Sequence, residues 1–298
     1  MSGPRIDPRA GLVVAVLAVS TSAILVRWSN APPVVAACYR VLLTMVMLAP
    51  VALSRYGESF ATLSRRDLLA AGATGVALAV HFAAWFESLS WTSVAASVTL
   101  VQCQPLFVAV GAWALLDERV TRGTTVGILV AVGGIVVLSL GDFLGGAAVG
   151  PRPLYGNALA IVGGVMAAAY VLAGRSLRQR FPLVPYVTVV YGVAGVCLFA
   201  LVLVSDVPVG GYPPREWGLF LAMAVGPGIF GHTVLNWALA HVESSLVSVS
   251  LLGEPLGSAL LALVLLAEVP GPWTVVGGAV ILAGIVITAR SRPDPQPA

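Results

Sequence analysis

Residues 105–136 read PLFVAVGAWALLDERVTRGTTVGILVAVGGIV, and residues 255–286 read PLGSALLALVLLAEVPGPWTVVGGAVILAGIV. The two stretches align without a gap at an offset of 150, half of the 298-residue chain, and 14 of their 32 positions are identical. Apolar composition alone gives chance matches among Leu, Val and Ala. It does not give Pro105 on Pro255, Glu118 on Glu268, Gly127 on Gly277 and Gly134 on Gly284. Self-similarity of this kind marks a duplicated chain. The Gly- and Pro-rich connection 141–154 joins the copies, so the halves are 1–145 and 146–298.

Working outward, 58% of the residues are hydrophobic and only 10% are charged, against about 25% charged in soluble domains. This is the composition of a membrane protein. A spanning helix needs about 20 apolar residues at about 1.5 Å each. Ten segments qualify, roughly 10–27, 33–53, 67–88, 92–116, 122–140, 155–175, 184–204, 216–239, 244–266 and 272–290. Arg5 and Arg9 before the first apolar run resemble the start of a signal peptide, but nine further apolar segments make that run a first span.

All sixteen basic residues are arginines. With the N-terminus inside, twelve fall on cytoplasmic pieces, and only Arg27, Arg152 and Arg215 fall outside; Arg40 lies within a span. That asymmetry places both termini in the cytoplasm. Each half then has five spans, an odd number, so the second copy enters the membrane upside down. The fold expected is an all-α membrane protein of ten transmembrane helices, built as two inverted-topology five-helix repeats. Such repeats are a common build for secondary transporters.

Several function classes drop out. A net charge of +3 is too small to argue for nucleic acid. No HExxH, Walker loop or GxSxG is present, so neither an enzyme nor an ATP-driven pump is indicated. Cys38, Cys103 and Cys197 sit in apolar runs without disulfide or metal spacing. No cofactor and no metal site is expected.

The stretch from Pro105 to Leu116-Asp117-Glu118-Arg119, with Glu254-Pro255 to Leu266-Ala267-Glu268, resembles the EamA family of the drug/metabolite transporter superfamily. Arg40 in the second span fits the same pattern, and the resemblance covers both halves. Ala238-Leu239 matches a pair common before the ninth span; Ser88-Leu89 stands in the first half, and Val269-Pro270 replaces a usual basic residue. The chain is similar to the bacterial amino-acid exporters of the YddG type. The resemblance implies an inner-membrane carrier of small metabolites whose cavity is lined by spans three, four, eight and nine.

Ionisable groups in hydrocarbon are costly and usually face a cavity or a partner. Glu254 lies about ten residues into the ninth span, and is read as an amine or proton acceptor, or as a structural partner of Arg40. Arg40 is read as a packing residue or as the holder of a substrate carboxylate. His81 and His232 occupy nearly equivalent positions in opposite halves. Trp85, Thr99, Gln102, Gln104, Tyr170, Asn236 and Ser250 complete the cavity candidates. Pro255 removes the helical partner of the Leu251 carbonyl, and Pro105 that of Val101. These prolines, with Gly226-Pro227-Gly228, are hinge candidates. The Gly123-xxx-Gly127 pair allows close helix packing or a dimer face.

The expected function is export of amino acids or related metabolites by alternating access, with protons as the candidate coupling ion. The alternatives are efflux of drugs and cationic compounds, and, in another class, an intramembrane enzyme or receptor. The expected partners are a small-molecule substrate and the bilayer, with the chain a monomer or weak homodimer.

Overall fold

A computed structural model describes residues 7–61, 63–92, 97, 100–116, 120–144, 151–266 and 272–291. Thr99, Glu118, Glu268 and residues 145–150 of the 141–154 connection lie outside them. Among the described residues every regular element is helical. In order these are α1 (Pro8–Trp28), α2 (Pro33–Ala61), α3 (Arg65–Trp91), α4 (Gln104–Leu115), α5 (Arg122–Leu144), α6 (Pro153–Arg178) and α7 (Leu183–Val204). Next, α8 (Pro214–Met223) runs through a π-helical segment, Ala224–Thr233, into α9 (Val234–Ala238). Last, α10 (Ser244–Ser250) passes through a 3₁₀ turn at Leu251–Gly253 into α11 (Glu254–Leu266), and α12 (Pro272–Arg290) follows.

Among the described residues six helical stretches are long and apolar enough to cross a bilayer: Pro8–Val26, Pro33–Glu58, Arg65–Trp91, Leu154–Arg178, Leu183–Val204 and Pro214–Ala238. Gln104–Leu115 and Val275–Thr288 are shorter apolar helices. Leu53, Trp113, Val204 and Val264 are exposed, while Arg40, Gln104, Asn236 and Ser248 are buried. That distribution inverts the pattern of a soluble protein and suits a hydrocarbon solvent. The protein is therefore a multi-pass membrane protein.

Local chemistry sets several helix ends. Asp7 caps α1 by accepting from the Arg9 amide at 2.9 Å, with Pro8 in the first turn. Ser64 caps α3 through the Asp67 amide at 3.1 Å. The second helix overruns its expected end at 53 and reaches Ala61, with Tyr56 out of helical geometry at φ −129° and ψ 17°. Hydropathy stops at the polar residues Arg55, Tyr56 and Glu58, whereas backbone pairing does not need apolar side chains.

The helices pair selectively. The fifth helix packs on α12, α3 on α6, α2 on α7, α4 on α6, and α1 on both the π segment and α11. The glycines common to both halves make the α5–α12 contact. A Cβ on Gly127 would lie 2.8 Å from the Gly284 carbonyl oxygen, and one on Gly134 2.8 Å from that of Gly277. Only glycine permits so close a crossing. The order of contacts reverses along the two helices, so they run antiparallel. A Cβ on Gly123 would run into the Ser291 side chain. The Gly123/Gly127 stripe thus faces α12 of the same chain, which corrects its alternative reading as a dimer face.

Candidate functional site: a buried polar cavity

Helix regularity fails at Pro105, Pro227 and Pro255, and side chains, several from other helices, meet backbone carbonyls there. Before Pro105 the backbone turns at Gln102–Cys103, and α4 begins at Gln104. Before Pro255 the chain tightens to the Leu251–Gly253 3₁₀ turn, and α11 begins at Glu254. Gln102 Nε2 donates to the Leu251 carbonyl at 3.4 Å and to Glu254 Oε2 at 3.2 Å. Ser20 Oγ of α1 donates to the Glu254 carbonyl at 3.2 Å. The π segment holds Gly226, Pro227 and Gly228. There Thr44 Oγ1 donates to the Ala224 carbonyl at 3.2 Å, and Thr233 Oγ1 to that of Gly228, also at 3.2 Å. Pro227 lacks an N–H, so hydroxyls replace part of the helical ladder.

These breaks surround a cavity of about 50 Å³, room for a few water molecules. Its polar wall comprises Ser22, Arg40, His81, Gln102, Gln104 and Glu254. Aromatic groups close it: Trp85, Tyr170 and His232. At the 150-residue offset Gln104 is the counterpart of Glu254, each directly before a matched proline. Phe82 is the counterpart of His232, and their rings meet at 5.3 Å between centroids.

Hydrogen bonds fix some members of the wall. His81 Nδ1 lies 2.9 Å from the Gly163 carbonyl. A carbonyl only accepts, so Nδ1 carries hydrogen and Nε2 is the remaining group. Asn236 Nδ2 donates to Tyr170 Oη and, at 2.7 Å, to the His232 carbonyl. Arg40 donates from a terminal nitrogen to Ser22 Oγ at 3.0 Å and lies over Phe82, 4.5 Å from the ring centroid. Around the cavity, Trp85 Nε1, Gln104 Oε1, His232 Nδ1 and Asn236 Oδ1 are buried and make no hydrogen bond among the described residues. Buried polar atoms are normally paired. This concentration of open valences lies around the one hollow described above.

The structure thus gathers Arg40, His81, Trp85, Gln102, Gln104, Tyr170, His232 and Glu254 around one cavity. Asn236 stands behind the wall, holding Tyr170, and Ser250 is not among the lining residues. Thr99 lies outside the described residues. Sequence reading missed Ser22, because a lone serine in an apolar run carries no depth or direction. The wall also takes residues from α1, α2 and α6, beyond spans three, four, eight and nine. Among the described residues no group of His, Cys, Asp and Glu is arranged to hold a metal ion.

The profile of the EamA-like transporter family matches residues 10–140 and again residues 154–290. An uncharacterized transporter of Archaeoglobus fulgidus is 30% identical over 193 residues, 65% of this chain and 67% of that protein. The pseudopaline exporter CntI of Pseudomonas aeruginosa is 27% identical over 248 residues, 82% of this chain and 79% of the exporter. A protein of known crystal structure shares the fold with a TM-score of 0.77, covering 94% of this chain and 95% of its own, at 22% identity.

Proposed function

Because the chain belongs to the EamA-like transporter family, we propose that it is a secondary exporter of amino acids or related small metabolites. It works by alternating access in the bacterial inner membrane, in the manner of the YddG type. The observation that carries this reading is the buried cavity with unpaired polar atoms where helices from both halves meet. Its similarity to a metabolite exporter supports the direction and the cargo class.

The proposed frame is ten spans in two inverted repeats, residues 1–145 and 146–298, with both termini cytoplasmic. The two profile matches fall one in each half. Packing pairs exchange under the 150-residue shift, which supports a twofold axis in the membrane plane. The α3–α6 contact becomes that of the π segment with α1, and α4–α6 becomes α11–α1. The swapped glycine contacts, Gly127 on Gly284 and Gly134 on Gly277, have the same symmetry.

Two rocking units follow: α1 with the eighth and ninth spans, and α3 with α4 and α6. Their ends are tied internally. Ser29 Oγ and the Asn30 amide donate to Glu216 at 2.6 and 3.1 Å, joining α1 to α8. The Arg180–Asp67 ion pair at 2.9 Å joins the end of α6 to α3. Between the units, Arg175 donates to the Leu239 carbonyl at 2.9 Å and Arg178 Nε to the Asn236 carbonyl at 3.1 Å. Guanidinium groups thus cover the C-terminal carbonyls of the eighth span. On the opposite face α1 and α3 have little contact among the described residues. With the arginine-rich side cytoplasmic, this is a carrier closed to the cytoplasm.

Glu254 favours a second cargo, cationic compounds, because it brings a carboxylate to the wall. Purified protein in liposomes, tested with amino acids, other metabolites and organic cations, distinguishes the two. Amino acids or metabolites moving without ATP bear out the proposal. Cation flux alone, abolished by Glu254→Gln, favours the alternative, and no flux of any compound ends both.

A further inference from the structure

Arg40 is a buried charge that touches no carboxylate among the described residues. It is only 2% exposed, and a guanidinium offers five N–H donors. One terminal nitrogen donates to Ser22 Oγ, and Phe82 lies beneath the group. The protein groups next to it in the adjoining hollow are Thr44, Phe82, Tyr191 and His232, none of them anionic. No ion pair joins Arg40 to a carboxylate among the described residues. Glu254 lines the same cavity, but Gln102 engages its carboxylate. Glu254 attracts Arg40 across the cavity without touching it, and a buried guanidinium held by one hydrogen bond is costly, so a carboxylate arriving between the two completes its pairing.

We infer that Arg40 is the substrate anchor, that it takes a carboxylate, and that Ser22 positions it. The cargo is therefore an organic acid, and a compound carrying an amine as well meets Glu254 in the same cavity. Cationic compounds without an acid group are excluded. A planar guanidinium pairs with a carboxylate through two parallel N–H bonds. Its plane is held from one side by the Phe82 ring and its edge by Ser22.

This inference rests on the transporter reading, and the experiment separates the two. Proteoliposomes are loaded for counterflow with L-amino acids and, in parallel, with the carboxamide of each. The expected result is flux of one or more acids and none of the matching amides. Arg40→Gln should weaken acid binding by about thirtyfold or more, and Arg40→Lys should recover part of that loss. Ser22→Ala removes one hydrogen bond, which corresponds to about two- to tenfold in KM, with turnover unchanged. A merely structural serine would not split KM from kcat in this way. If Arg40→Gln does not fold, the acid–amide comparison and Ser22→Ala still decide. Amides moving as well as acids, or wild-type acid affinity in folded Arg40→Gln, overturns the anchor and leaves the transporter intact. If neither acids nor amides move, both readings fall.

Discussion

Asn236 has no solvent exposure. Its side-chain amide nitrogen reaches Tyr170 and the His232 carbonyl; the bond from Arg178 goes to its backbone carbonyl and survives substitution. Replacing it with alanine removes one side-chain partner of the Tyr170 hydroxyl, Tyr191 being another, and opens a gap beside it. A lost hydrogen bond costs about 0.5–1.5 kcal/mol, so Asn236→Ala should lower the thermal unfolding midpoint in detergent, while an exposed change such as Arg122→Gln should not. Glu254→Gln keeps the size of the side chain and an oxygen for Gln102. Its stability should stay within about 1 kcal/mol of wild type. If Glu254 accepts the coupling proton, the substitution also removes the response of flux to a pH gradient. At this scale the sequence was half legible. Mid-span polar residues stand out against hydrocarbon, but their direction does not. Ser250 and Gln104 looked alike in the sequence, yet only Gln104 reaches the cavity wall. Ser22 and Tyr191 were invisible because serine and tyrosine are ordinary in apolar runs.

At the scale of elements, the matched prolines were legible and their geometry was not. Pro255 announces a missing N–H; that Gln102 from another helix answers the Leu251 carbonyl depends on tertiary packing. Similarly, Gly226-Pro227-Gly228 announces a break, but its π register rests on Thr44 and Thr233. Restoring the donor with Pro255→Ala should let Leu251 pair within its own helix and stiffen the turn. The expected outcome is turnover reduced by about tenfold with KM changed much less, as for a motion-limited carrier; counterflow kinetics check it. The α5–α12 contact is a harsher case. A side chain at Gly134 would run into the backbone of Ile281, 2.7 Å from the added Cβ. Overpacking of this kind costs about 1–3 kcal/mol, so Gly134→Leu should lose thermal stability or fail to accumulate, whereas Gly133→Leu, with open space around it, should be tolerated.

Over the whole molecule, the all-helical membrane class was legible because an apolar, charge-poor composition is a statement about the entire chain. The proposed repeat states which helices correspond. It could not predict the size of the cavity or which side is closed, since those belong to one conformation and not to the pattern. A cavity of about 50 Å³ must widen to admit a metabolite, so transport requires the two units to part. Accessibility of the cavity from each face tests this most directly. Ala167 lines the wall and neighbours Tyr170. In a chain with Cys38, Cys103 and Cys197 replaced by serine or alanine, Ala167→Cys provides one reporter, read with a membrane-impermeant maleimide in sided vesicles. Labelling from the periplasmic face without substrate, with labelling from the cytoplasmic face appearing as substrate is added, is the expected result. Reaction from one face only under every condition, or from neither, would contradict alternating access.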